Sequence, residues 1–130
     1  MIYLDSCMLI YALEDESDRG AVVRERMAGA AGLAISPLVM LECLVGPKRR
    51  ADTALEDHYM RAFAGFELID LEVPFFLRAA QLRAKHGLRI PDALHLAAAQ
   101  LSGCAELWTN DARLASTAPT LAVNVLSASY

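Results

Sequence analysis

Short apolar runs alternate with longer segments of helical pattern along the whole chain. The runs lie at Met1–Leu4, Leu33–Ser36, Phe66–Leu71, Glu106–Thr109 and Leu121–Leu126. None alternates strictly between apolar and polar residues, which is typical of strands that are covered on both faces. Strands separated by helices build a mostly parallel sheet. The chain is therefore predicted to be an α/β three-layer sandwich, with a mostly parallel five-stranded sheet flanked by helices.

The segments between the runs carry start and stop signals of helices. Helices are predicted over 7–13, from 17 or 18 to about 30, from 37 to 46–47, from 52 to about 64, from 74 to 86–87, from 91–92 to about 103, and from 111 to before 119. Ser6 is a candidate N-cap of the first helix, and Ser36 followed by Pro37 gives the usual N-cap and first-turn pair. The Gly46-Pro47 pair predicts the end of the third helix.

Length and composition favour one globular domain that spans residues 1–130. Apolar residues make up 55% of the chain, enough for a sizeable core. The net charge of −4 argues against a protein that coats nucleic acid, although it leaves room for an enzyme whose acids are concentrated in a site. The basic runs at 48–50 and 78–89 are most simply interpreted as solvated helix faces.

The compartment is predicted from the cysteines and the N-terminus. Three cysteines without paired spacing indicate a reducing environment. The N-terminus has no basic leader, and the longest uncharged stretch, 93–105, is too short to span a bilayer. A cytoplasmic protein that does not enter a membrane is expected.

Four carboxylates lie where strand patterns end or helix patterns begin: Asp5, Glu42, Asp92 and Asp111. Functional groups of parallel sheets gather beyond the carboxyl ends of the strands, so these acids are predicted to face one edge. Helix capping would explain Asp92 or Asp111 taken singly. It does not explain Glu42 among apolar neighbours, or an acid that ends a buried strand. If the four converge, their mutual repulsion is predicted to raise their pKa values when no metal is bound.

Carboxylate oxygens are hard ligands that suit Mg²⁺ or Mn²⁺. Such an ion activates water and stabilises the oxyanion formed at phosphorus, which predicts hydrolysis of a phosphodiester. No Ser–His–Asp or Cys–His set competes with this interpretation. His95 follows Asp92 by three residues, near the same helical face. It either positions a carboxylate, contacts substrate, or is an ordinary structural histidine.

Four segments resemble the PIN-domain ribonucleases, in the expected order along the chain. They are YLDSCMLIYALE at 3–14, SPLVMLECL at 36–44, IPDALHLAAA at 90–99 and LWTNDARL at 107–114. The likeness is closest to VapC-type toxins of toxin–antitoxin pairs. The resemblance implies a parallel sheet flanked by helices, and acids that bind Mg²⁺ or Mn²⁺ for cleavage of RNA. It also implies a cognate antitoxin that inserts into the acidic pocket, and a homodimer formed through helices.

The resemblance also assigns roles by motif. It makes Asp5, Glu42 and Asp92 ligands of the metal, and gives Asp111 a second metal or the attacking water. The supporting residues that it suggests, as groups that orient acids or water, are Ser6, Thr109 and Asn110, with His95 as a further candidate.

Two departures from the family pattern bear on the second metal position. Cys7 stands where the family often has Ser, Thr or Asn. A second acid often lies near the position of Asp92, and here it is absent.

Two other functions stay open at this point. A phosphatase or phospho-acceptor domain would use Asp5 as a nucleophile, but the chain lacks the second acid of a D-x-D arrangement. A non-catalytic binding module, derived from a nuclease, would only associate with a partner. Four retained acids argue against such a loss of activity.

Overall fold

The computed structural model describes residues 1–127, so residues 128–130 of the predicted single domain lie outside the described residues. Five strands form one sheet: β1 (Ile2–Leu4), β2 (Leu33–Ile35), β3 (Glu67–Leu68), β4 (Glu106–Thr109) and β5 (Ala122–Asn124). Their order is β3-β2-β1-β4-β5, and every neighbouring pair is parallel. The predicted sheet is confirmed. The outer strands β3 and β5 are shorter than the apolar runs that predicted them, as expected for edges that pair on one side only.

Seven helices connect the strands within residues 1–127. They are α1 (Ser6–Glu14), α2 (Asp18–Ala28), α3 (Pro37–Arg49), α4 (Thr53–Phe63), α5 (Val73–His86), α6 (Ile90–Leu101) and α7 (Ala112–Thr117). Helices α1 to α4 pack on one another, whereas α5 packs on α6, and α6 contacts β1 and β4. Right-handed crossovers put these two groups on opposite faces of the sheet, which gives the predicted three layers. No helix in the described part of the chain is long and apolar enough to cross a membrane.

The predicted end of α3 at Gly46-Pro47 is wrong. The helix continues to Arg49, with Pro47 inside it and buried. Proline removes one helical hydrogen bond, but packing of its ring in the core offsets that loss. The chain turns instead at Ala51, whose φ of 54° is left-handed. The next residue, Asp52, caps α4 through its side chain, which accepts the Leu55 N–H at 3.0 Å.

The strand order creates a crevice at one edge of the sheet. From β1 the chain proceeds outward to β2 and β3, and it then returns to the other side of β1 to form β4. Connections therefore diverge at the carboxyl ends of β1 and β4, which is the usual place for a site in an open parallel sheet. The two strand ends are tied together because the Asp5 N–H donates to the Trp108 carbonyl at 3.2 Å.

Candidate active site

All four predicted acids line the crevice beyond β1 and β4. We call it the acid pocket; its volume is about 460 Å³, and it is lined by Asp5, Ser6, Cys7, Tyr11, Glu42, Arg89, Asp92, His95, Asn110, Asp111 and Ala112. A larger groove of about 730 Å³, beside Trp108, is lined by one acid only, Glu25. We therefore locate the candidate site in the acid pocket, where the charged groups converge.

Asp5 is the most deeply buried acid of the pocket, with 7% of its surface exposed. It holds the N-cap position of α1, so the prediction that Ser6 caps this helix is wrong. Its carboxylate accepts the Cys7 thiol at 2.6 Å and a hydrogen bond from the Thr109 side chain. Burial raises the pKa of Asp5 above its usual value, although these donors and the nearby His95 act to lower it. Side chains of α1 and β4 thus fix the position of this carboxylate.

Thr109, at the end of β4, connects two of the acids. Its hydroxyl bonds to the Asp5 carboxylate, and its Oγ1 accepts the Asp111 N–H at 2.9 Å. This is the kind of contact suggested for Thr109. The side-chain amide of Asn110 donates to the hydroxyl of Tyr11 at 2.9 Å, and both residues line the acid pocket.

Glu42 projects from α3 and is held by two side chains. His95 Nε2 lies 2.6 Å from its Oε1, and the Ser6 hydroxyl also bonds to it. Burial by itself would raise the pKa of Glu42, but the hydrogen bond and charge of His95, with the Ser6 bond, outweigh it and lower that pKa.

Two residues behind Glu42 were not predicted from the sequence as part of the site. Tyr3 Oη lies 2.7 Å from His95 Nδ1 and 2.8 Å from Ser36 Oγ. The sequence pattern made Tyr3 a member of an apolar strand and Ser36 a helix cap, although the Ser36 side chain makes no capping bond. The sequence did contain one indication of this contact. Tyr3 lies in a predicted buried strand, and a buried phenol hydroxyl needs a hydrogen-bond partner.

Asp92 and Asp111 stand at the starts of helices and share one partner. Asp92, in the first turn of α6, has Oδ2 3.0 Å from Arg89 Nε. Asp111 caps α7, and its Oδ1 accepts the N–H groups of Arg113 and Leu114. Its Oδ2 is 3.8 Å from Arg89 Nη2. The guanidinium of Arg89 therefore lies between these two carboxylates. In the sequence, Arg89 stands out only as part of a basic run.

A family model described as the PIN domain matches residues 2–119. The chain belongs to the PIN domain family. This confirms the family that the four sequence segments indicated.

Solved structures agree with this membership. A chain from a toxin–antitoxin complex of Klebsiella pneumoniae is 25% identical, with a TM-score of 0.81 over 96% of this chain and 98% of that one. FitAcB from Neisseria gonorrhoeae has 20% identity and a TM-score of 0.75, covering 97% and 99% of the two chains. VapC20 of Mycobacterium tuberculosis, described as a sarcin–ricin loop cleaving toxin, has 14% identity and a TM-score of 0.77, covering 89% and 94%. The last two likenesses show the fold alone. A search of curated proteins finds no match.

The electrostatics of this PIN domain differ from the predicted repulsion. The pKa of Asp5 is raised, but burial is the largest cause. The pKa of Glu42 is lowered. Repulsion does not dominate, because each acid has its own donor: a thiol and hydroxyl, an imidazole and hydroxyl, a guanidinium, or backbone N–H groups.

The donor set of the PIN domain fits a hard divalent cation in its chemistry, since it offers four carboxylates. In residues 1–127, however, no three of the His, Cys, Asp and Glu side chains are grouped closely enough to hold one ion. Each acid points to its present partner. Binding of an ion therefore requires the acids of the pocket to come closer together, and the exposed Arg89 pair is the contact that Asp92 has to leave.

Most of the predicted basic runs are used within the PIN domain fold. Lys48 pairs with Glu56, and Arg50 lies 3.4 Å from Glu14. Arg78 donates to Gln100 at 2.9 Å. Of the cations in the two runs, Arg89 is the one that lines the acid pocket within the described residues.

Proposed function

We propose that this PIN domain is a metal-dependent endoribonuclease and the toxin of a type II toxin–antitoxin system. One observation carries the proposal: acids from the end of β1, from α3, from α6 and from the start of α7 line one pocket where the strand order reverses. The likeness to a toxin–antitoxin chain at 25% identity over nearly the whole length supports it. The fold is also shared with VapC20, a sarcin–ricin loop cleaving toxin, which supports RNA as the substrate class.

In this proposal Asp5, Glu42 and Asp92 hold Mg²⁺ or Mn²⁺, and Asp111 binds a second ion or orients the attacking water. An ion held there supplies Lewis-acid stabilisation of the charge that develops on the phosphoryl oxygens. Thr109 and Ser6 fix the orientation of Asp5 and Glu42 through the hydrogen bonds described above. Once Asp92 turns to a metal, the planar guanidinium of Arg89 is available to bind the RNA phosphate by two hydrogen bonds.

The test is cleavage of structured RNAs by the purified protein with Mn²⁺, with Mg²⁺ and with chelator. Asp5→Asn and Asp92→Asn remove one charge each and keep the side-chain shape. Asp57→Asn is the matched control, since Asp57 lies on α4 and is exposed outside the acid pocket. We expect metal-dependent cleavage that falls by about 100-fold or more in both pocket variants and is unchanged in the control.

Three outcomes would replace this proposal. Equal cleavage by Asp5→Asn would remove the catalytic assignment. A wild-type protein that neither cleaves RNA nor binds Mn²⁺ would support the non-catalytic binding module. A phosphate analogue bound stably to Asp5 would support the phospho-acceptor function instead.

The proposed antitoxin would act at the same pocket. The position of Arg89 between Asp92 and Asp111 supports this mode, because a guanidinium already fits among these acids. An arginine from a partner would be held in the same way, by charge-assisted hydrogen bonds. We expect the antitoxin to block cleavage, and Asp111→Asn to weaken its binding. Inhibition that is insensitive to the charge of the pocket would contradict this mode.

The proposed homodimer has a candidate surface on α5 and α6. Phe76, Leu77 and Ile90 are large apolar side chains that are 51%, 64% and 60% exposed. Phe76 and Ile90 border a groove of about 230 Å³ with an almost entirely apolar lining. We expect a dimer in analytical ultracentrifugation that Phe76→Glu dissociates. A wild-type monomer at all concentrations would rule this surface out as a dimer interface.

A further inference from the structure

A chain of three buried polar side chains leads from the core to the acid pocket. Tyr3 and Ser36 are fully buried, and His95 is 2% exposed. Ser36 Oγ, Tyr3 Oη and the two nitrogens of His95 follow one another at 2.8 and 2.7 Å, and the chain ends at Glu42 Oε1, 2.6 Å from Nε2. We call Ser36, Tyr3 and His95 the relay. Its members come from β1, from the end of β2 and from α6.

Glu42 determines which atom of His95 donates to it. An ionised carboxylate only accepts, so the proton on the near side of the ring is on His95 Nε2. Nδ1 accepts from the Tyr3 hydroxyl when the ring is neutral and donates to the Tyr3 oxygen when the ring is charged, and the hydroxyls of Tyr3 and Ser36 can rotate to suit either state. Tyr3 and His95 each have a partner on both sides, Ser36 ends the relay with Tyr3 as its partner, and no buried side-chain nitrogen or oxygen of the described residues lacks a partner. The imidazole ring therefore has one orientation that satisfies all contacts.

A core that served packing alone would not need these groups. Apolar side chains can fill buried space without partners, whereas a buried polar group left without a partner destabilises the fold. Of the relay and the carboxylate that it contacts, Glu42 is the group that reaches solvent, with a side chain 27% exposed. The relay thus connects the core to one carboxylate of the acid pocket.

We propose that the relay is a positioning device for Glu42. It holds one carboxylate oxygen of Glu42 at His95 Nε2, so that the rotamer facing the acid pocket is set before any ligand arrives. This rests on the proposed function in treating Glu42 as a ligand of a divalent ion. Hydrogen-bonded partners of metal ligands orient those ligands, and their removal usually weakens metal binding by about 10- to 100-fold.

The test is the affinity for Mn²⁺, measured by isothermal titration calorimetry. Tyr3→Phe removes one hydroxyl and keeps the ring. Its matched control is Tyr59→Phe, since Tyr59 is also fully buried and donates from its hydroxyl to a glutamate, Glu14 at 2.6 Å, which is outside the acid pocket. We expect Tyr3→Phe to weaken Mn²⁺ binding about 10-fold, while Tyr59→Phe leaves it unchanged. A change in melting temperature without a change in affinity, in both variants alike, would overturn the proposal.

A second pair of variants tests the ring itself. Glutamine can place an amide N–H near the position of Nε2, whereas leucine has no donor. His95→Gln should therefore keep most of the Mn²⁺ affinity that His95→Leu loses. Nitrogen NMR of the wild type should find the proton on Nε2. Equal affinity of the two variants, or a ring protonated at Nδ1 alone, would overturn the relay.

Failure of the relay can be told apart from failure of the proposed function. If Mn²⁺ binds and Tyr3→Phe weakens it, the relay holds even if no RNA is cleaved. If RNA is cleaved with metal and Tyr3→Phe binds Mn²⁺ as well as wild type, only the relay is wrong. No binding of Mn²⁺ by the wild type would overturn both.

Discussion

The two halves of the acid pocket are built in different ways. In one half, Asp5 and Glu42 are held by side chains that come from the core, the thiol and hydroxyl around Asp5 and the imidazole of His95. In the other half, Asp92 and Asp111 stand at helix starts and share Arg89, whose side chain is 73% exposed. The first half has its geometry set by packing, whereas the second depends on an exposed side chain at the surface.

The difference separates two tasks of such a site. Groups held by packed neighbours lose little conformational freedom when a ligand binds, so they contribute affinity. Groups whose partner is exposed can exchange that partner for an incoming cation. We therefore expect Asp5 and Glu42 to contribute most of the metal affinity. We expect Asp92 and Asp111 to exchange Arg89 for a metal ion or for a cation of a partner.

The largest expected effects on Mn²⁺ affinity come from two single variants, each of which neutralises one acid in one half of the pocket. Asp5→Asn should weaken Mn²⁺ binding by about 100-fold, and Asp111→Asn by about 10-fold. Asparagine is as good an N-cap as aspartate, so α7 should persist in Asp111→Asn. Calorimetric titration of both variants measures this difference. Equal losses would show that the two halves do not differ in the way we infer.

A smaller effect is expected from the arginine of the exposed half. Arg89→Gln removes the cation that pairs with Asp92 and Asp111, so Mn²⁺ binding should tighten by about fivefold, a small effect because the pair is exposed. Arg113→Gln is the control, because the Arg113 guanidinium donates to the carbonyls of His86 and Gly87. Titrations at physiological salt, where remote charges are screened, compare the two. Unchanged or weaker binding in Arg89→Gln would mean that the arginine does not compete.

The smallest effect is the change in stability of the metal-free protein when an acid of the buried half is neutralised. Its sign is opposite for Asp5 and Glu42. The pKa of Asp5 is raised in the folded state, so this group destabilises the fold as pH rises above its unfolded pKa. Asp5→Asn should then be more stable than wild type at pH 7, by about 4 °C in melting temperature. The gain should vanish near pH 3, where the carboxyl is protonated in both states.

Glu42 should behave in the opposite way. Its pKa is lowered in the folded state, so it stabilises the fold above its unfolded pKa, and that contribution is lost as pH falls through the folded pKa. Glu42→Gln should therefore be less stable than wild type at pH 7. Melting curves from pH 3 to 8 with chelator test both variants. The same sign for the two at pH 7 would contradict the assigned causes.

Much of the fold was predictable because its signals are local. The runs at β1 and β4 ended where predicted, at Leu4 and Thr109. Gly87 ends α5 with a φ of 66°, a conformation that glycine adopts without strain. The end of α3 was not predictable in this way. Pro47 is buried inside α3, and its packing against distant residues cannot be predicted from the neighbouring sequence.

The candidate site divides along the same line. The positions of the acids at strand ends and helix starts could be predicted from the sequence, because nearby residues set the boundaries of strands and helices. The partner of each acid could not be predicted, because it depends on how distant segments pack together. Tyr3 meets a histidine 92 residues away, and Glu42 meets that histidine across 53 residues. Such pairings follow from the need of buried polar groups for partners, and the partner is whichever group the packed core brings within reach.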